Sequence, residues 1–174
     1  MLFLPLPRGV RPTALAAVVP LLIACDGRGS RLMASWDGPD AGELKAPAVA
    51  SWCPGARRLE IEAIKGDAGV ALVIYPVKAL RPGRYEAFDP GLYPMQRPGS
   101  AAALRWFSEQ EVQGYQSDSG SAQVTEGEAG YQVRFGYRMI AATLLDTLRL
   151  AGEISEFAPG ACPAGKSPDS TEAE

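Results

Sequence analysis

The sequence predicts an all-β fold, an antiparallel β-sandwich or open barrel of about seven to nine strands. Three observations carry that expectation. Gly and Pro are abundant, 19 and 15 of 174 residues, which favours many turns and short strands over long helices. Residues 121–126 (SAQVTE), 127–130 (GEAG) and 131–139 (YQVRFGYRM) read as a hairpin with a four-residue loop, and several short apolar runs are bounded by turn residues. The chain is 47% hydrophobic, too apolar for a disordered protein. Its length suits one domain that buries roughly 68–70% of its unfolded surface without needing a metal.

Taken in order, the first element is not part of the fold. Arg8 and Arg11 precede the apolar run from Thr13 to Ala24 (TALAAVVPLLIA), the pattern of a secretory signal. That run is too short to cross a membrane, which takes about 20 apolar residues, and Pro20 interrupts it. It ends in Leu22, Ile23, Ala24 and Cys25, which resembles the lipobox of bacterial envelope lipoproteins. The resemblance covers only these 25 residues. It implies cleavage before Cys25, a diacylglycerol on its thiol and an acylated amino group, hence a protein anchored to a membrane in the cell envelope, facing the periplasm or the cell exterior. Asp26 resembles the signal that retains such proteins in the inner membrane of enteric bacteria, a rule that does not carry over to other bacteria, so the choice of membrane stays open. Two or three acyl chains contribute about 0.8 kcal/mol per buried methylene, enough for stable attachment.

Residues 26–46 are polar and Gly-rich and read chiefly as a tether, with Leu32, Met33 and Trp36 available for a short docking strand. Asp37, Asp40 and Glu43 miss the calcium-loop register and read as solvated charge. The β domain is expected over residues 47–163. Leu59 and Ile61 alternate with Glu60 and Glu62, and Gly69 opens VALVIYP, a run suited to a buried strand. Tyr85 and Ala87 alternate with charge between turn residues, and residues 89–100 form a long Pro-rich loop. Residues 101–108 (AAALRWFS) give another strand. In the hairpin Tyr131, Val133, Phe135 and Tyr137 share one face, Gln132, Arg134 and Arg138 the other. Within residues 143–157, Leu144, Leu145 and Leu148 fit helical spacing while Leu148, Leu150, Gly152 and Ile154 fit period two. A closing strand is favoured because the segment ends near Cys162. Residues 164–174 lack apolar side chains and are expected to be disordered.

With Cys25 lipidated, Cys53 and Cys162 have one possible pairing. An oxidising compartment favours a disulfide over two buried thiols. No CxxC spacing is present, so neither metal nor cofactor is expected. The chain has no His, which removes the usual triads and His-ligated metals. Gly160 to Ser167 satisfies the phosphate-loop pattern, but Pro168 follows at once and leaves no room for the helix that makes such a loop work. Ser119 and Ser121, in an SDSGS segment read as a loop, have no His to activate them. Glu109, Glu111, Asp118, Asp146, Glu153 and Glu156 could supply a glycosidase-like pair, or simply solvated charges. No catalytic residue is assigned. Removing residues 1–24 takes away two Arg and no acid, moving the formal charge from −3 to −5, and an acidic chain without clustered cations is not expected to bind nucleic acid.

Trp106 and Phe107 are adjacent, so on a strand they point to opposite faces. With Tyr115 and Tyr93 they could form an aromatic patch for an envelope protein, glycan or lipid, unless both faces of that strand are covered as in a sandwich. A non-enzymatic binding or structural module of the envelope is the leading expectation. A lipid carrier with a barrel cavity and a carboxylate-dependent polysaccharide hydrolase are the alternatives.

Overall fold

The computed structural model describes residues 29–38, 40–88, 97–107, 112–141 and 146–163. Among these the chain is all-β, with ten strands and no helix. The strands are β1 (Arg31–Trp36), β2 (Gly42–Cys53), β3 (Arg58–Lys65), β4 (Ala68–Tyr75), β5 (Gly83–Glu86), β6 (Gly99–Phe107), β7 (Val112–Glu126), β8 (Tyr131–Ala141), β9 (Thr147–Phe157) and β10 (Gly160–Ala161).

Eight of them form a closed antiparallel barrel in the order β1-β2-β3-β4-β6-β7-β8-β9. Closure comes from β9 pairing back onto β1, from Leu32↔Ile154 to Trp36↔Leu150. This ring leaves no free edge, the hazard that open sheets must otherwise manage. β5 pairs with β7, and β10 runs parallel to the end of β2.

Strict alternation explains which residues fill the interior. β8 buries Val133, Phe135, Tyr137 and Met139 and exposes Gln132, Arg134, Gly136 and Arg138, matching the two faces read from the sequence. One continuous core joins these to Leu59 and Ile61 of β3, Leu72 and Ile74 of β4, Leu104 of β6, and Leu150 and Ile154 of β9. The segment 143–157, helical or extended by its periodicity, supplies the strand β9 from Thr147 onward.

Two expectations are corrected. The stretch 26–46, read chiefly as a tether with the domain starting at 47, contributes all of β1 and the first turn-proximal part of β2. Leu32, Ala34 and Trp36 alternate inward there, followed on β2 by Leu44, Ala46, Ala48 and Ala50. Ala carries too little apolar area for this alternation to stand out among Gly and Asp. The SDSGS segment, Ser117 to Ser121, is no loop but a bulged section of β7, with the register against β8 shifting between Ser117 and Ser119. The bulge divides β7 between two partners, β6 along Val112–Gln116 and β5 along Ser121–Val124. Asp118 is thereby turned to Arg138, whose Nε donates to its carboxylate at 3.0 Å. Ser117 faces inward and accepts a 2.9 Å bond from the Ala102 amide. Gly120 follows with φ +116°, where a Cβ would strike the Gly136 carbonyl, so only glycine fits.

The Cys53–Cys162 disulfide is present, joining residues 109 apart in sequence. It ties the end of β2 to the segment after β10. Cys25 and Tyr93 lie outside the described residues, as does the tail 164–174.

Candidate functional site

The antiparallel order gives the barrel two unlike ends. At one end β2 finishes at Cys53, β9 finishes at Phe157 and the described chain both begins (Gly29) and stops (Pro163). This is the disulfide end. At the opposite end β1 finishes at Trp36, β6 at Phe107, and β7 begins at Val112. That end carries the aromatic residues.

Trp36, Trp106 and Tyr115 stack there. The Trp36 and Trp106 rings lie 5.7 Å apart between centroids and tilt by 16°. Trp106 and Tyr115 lie 5.3 Å apart with a tilt of 13°. Neighbouring β6 and β7 supply Trp106 and Tyr115, whereas β1 stands across the ring from β6 in the strand order. The stack therefore spans the barrel mouth. Its geometry is the offset arrangement that aromatic pairs prefer, contributing about 0.5–1.5 kcal/mol per pair beyond area burial. Trp36 is fixed by a 2.7 Å bond from its Nε1 to the Asp40 carbonyl. It also lies over Gly42, where any Cβ would collide with the indole. Burial, with the Asp146 and Asp40 carboxylates nearby, raises the Tyr115 phenol above its ordinary pKa.

The next residue reverses direction, as strand alternation requires. Trp106 is half-buried, but Phe107 is 48% exposed and its register partner Val112 is 62% exposed. Ile64, at the end of β3, is 62% exposed as well. Arg105 lies over the Phe107 ring with its guanidinium carbon 5.7 Å from the centroid, a cation–π distance. Beside them a groove of about 290 Å³ runs along the outer wall, lined by Glu62, Ile64, Gly69, Ala71, Ala103 and Arg105. Small residues on β4 and β6 make its floor, because Gly69 and Ala71 pair with Arg105 and Ala103 across the two strands.

The structure thus joins two members of the aromatic patch, Trp106 and Tyr115, and adds Trp36, which the sequence placed in the tether. Its inward alternation with Leu32 and Ala34 was the available signal. Ile64 and Val112 carried no sequence signal, since each becomes a rim residue only through strand register.

The carboxylates take separate places. Asp118 pairs with Arg138, and Arg138 holds its carboxyl below the ordinary aspartate range. Glu153 pairs with Arg134 on the outer wall. Glu156 accepts the Ala129 amide at the β7–β8 turn, and Asp146 stands at the aromatic end. Glu109 and Glu111 are outside the described residues. Among the described residues no cluster of three or more Cys, Asp and Glu could hold a metal. Ser119 donates to Asp118, and Gly160–Ala161 of the phosphate-loop pattern form β10 against Ser51 and Trp52.

No protein-family model, no curated protein and no solved structure matches this chain.

Proposed function

We propose that the protein is a membrane-anchored lipoprotein of the cell envelope that works as a non-enzymatic binding module, held at its disulfide end through Cys25 and engaging an envelope partner with its aromatic end. The observation that carries this reading is the polarity of the barrel. The described residues begin and stop at one end, and the Trp36–Trp106–Tyr115 stack with exposed Ile64, Phe107 and Val112 lies at the other. Cys25 is four residues before Gly29, a span of at most about 14 Å of extended chain. An anchor there holds the disulfide end toward the bilayer and turns the aromatic end outward. Trp36 and Tyr115 are buried and Trp106 is half-buried, so the surface offered at this end is the exposed Ile64, Phe107 and Val112 beside the Arg105 guanidinium, which suits a protein or glycan partner.

Photo-crosslinking in intact cells tests this. A crosslinker at Phe107 is expected to capture one envelope partner, and Trp106→Ala to abolish the capture, while a crosslinker at Lys45 on the outer wall captures none. Equal capture from both positions would remove the aromatic end as the binding surface.

A further inference from the structure

We infer that the disulfide end is also a docking surface for anionic lipid headgroups, so that the barrel lies against the membrane with one side of that end down. The inference rests on the anchored reading above, but its physical basis is separate. Arg57, Arg58, Lys78, Arg81, Arg84 and Arg97 all lie on the β2–β3 turn and on the path from β4 to β6. Among the described residues of this sector the only acids are Glu60 and Glu86, and each is answered by an arginine, Arg58 and Arg84. Among the described residues of this sector four cations are left in excess, in a chain whose formal charge is −3; Asp89, on the same path, lies outside the described residues. Arg57, Lys78, Arg81 and Arg97 are all exposed.

The charge changes sign around the end. Glu126, Glu128 and Glu156 sit at the β7–β8 turn and the end of β9, across the ring from Arg57 but next to β5, which pairs with β7 at Gly83↔Val124. The basic side is held firmly. Tyr85 Oη donates to the Arg81 carbonyl at 2.8 Å, the Ala87 amide donates to Gly120, and the Phe88 amide to Ser100. Phe88 packs edge-on against Tyr75 with centroids 4.8 Å apart. Backbone bonds and a small outer core therefore fix the loop that carries Lys78, Arg81 and Arg84.

Distance supplies the occupant. A lipid on Cys25 keeps Gly29 within about 14 Å of the anchor, and the field of an anionic leaflet reaches about 8–10 Å into physiological salt. Cations at this end fall within or close to that field whenever the anchor is inserted, and each adds roughly fivefold to membrane affinity.

The test uses residues 26–174, which contain every strand of the closed barrel, mixed with vesicles of phosphatidylcholine alone or with phosphatidylglycerol. Flotation is expected to show binding to the phosphatidylglycerol vesicles only, weakening as salt rises. The triple variant K78E/R81E/R97E is expected to lose at least tenfold, given roughly fivefold per cation, with its disulfide and sheet circular dichroism intact. The control K65E/R149E, at the aromatic end, is expected to bind as the parent does. Equal binding to both vesicle types, no binding to either, or an unchanged triple variant would overturn the inference. The intact mass of membrane-extracted protein reports the anchor independently. A lipidated chain whose barrel ignores phosphatidylglycerol overturns the headgroup surface alone. An unlipidated chain that binds it removes the anchor and leaves the surface standing.

Discussion

Gly152 shows how tightly single positions are constrained in the ring. It pairs with Ala34 on one side and Phe135 on the other, and a Cβ there would collide with the Met33 carbonyl and the Phe135 ring. Gly152→Val is therefore expected to destabilise the fold by about 1–3 kcal/mol through overpacking at the closing seam, measured by urea denaturation. Tyr137 is the other telling residue. Its hydroxyl donates to Ser100 Oγ at 2.8 Å, and Ser100 Oγ donates to the Tyr85 carbonyl at 2.7 Å. Burial pushes its phenol well above the ordinary tyrosine pKa. Below about pH 10 it is neutral whether folded or unfolded, so pH has no effect through it. Above about pH 10 the unfolded chain ionises while the folded chain keeps its proton, and stability falls by about 1.4 kcal/mol per pH unit. Tyr137→Phe should flatten that alkaline decline, at a neutral-pH cost of about 1 kcal/mol for the lost hydrogen bond.

Among elements, legibility in the sequence followed side-chain size. β8 could be read residue by residue because its inward positions, Val133, Phe135, Tyr137 and Met139, are large and its outward ones polar. β1 was legible only as a short docking strand on Leu32, Met33 and Trp36, and the start of β2 was hidden, because Ala34, Ala46, Ala48 and Ala50 carry much of the inward alternation and an Ala–polar repeat resembles a linker. The bulge in β7 was hidden for another reason. A Ser- and Gly-rich segment has turn composition, and only the need to serve β5 and β6 on one edge makes it a strand. The mouth is an element in its own right, built from three strand ends. Replacing Phe107 by Asp should leave urea stability within about 0.5 kcal/mol, as expected for an exposed site, yet abolish partner capture at the aromatic end. The disulfide closes the opposite end. Cys162→Ser is expected to cost about 2–4 kcal/mol, because a bridge closing so long a loop chiefly constrains the unfolded chain. A thermal melt with and without reductant reads this directly.

At the scale of the whole molecule, ring closure lay beyond sequence patterning. It depends on β1 meeting β9, residues 31–36 against 150–154, a pairing no local period encodes. The Trp36–Trp106 stack is a consequence of that closure, so half of the candidate site was unreadable for the same reason. The cysteine pairing was legible because the lipobox reading sets Cys25 aside and leaves two cysteines with one connectivity. Closure also gives the molecule its two faces, an aromatic end and an end where the described residues begin at Gly29, stop at Pro163 and carry the basic loops. The proposed role joins those faces to a membrane through one residue. The direct measurement is the intact mass of the native protein extracted from its own membranes, with and without reduction and alkylation. The expected mass is that of residues 25–174 plus acyl chains, with two thiols alkylated only after reduction. A full-length, unlipidated chain with three free thiols would contradict it.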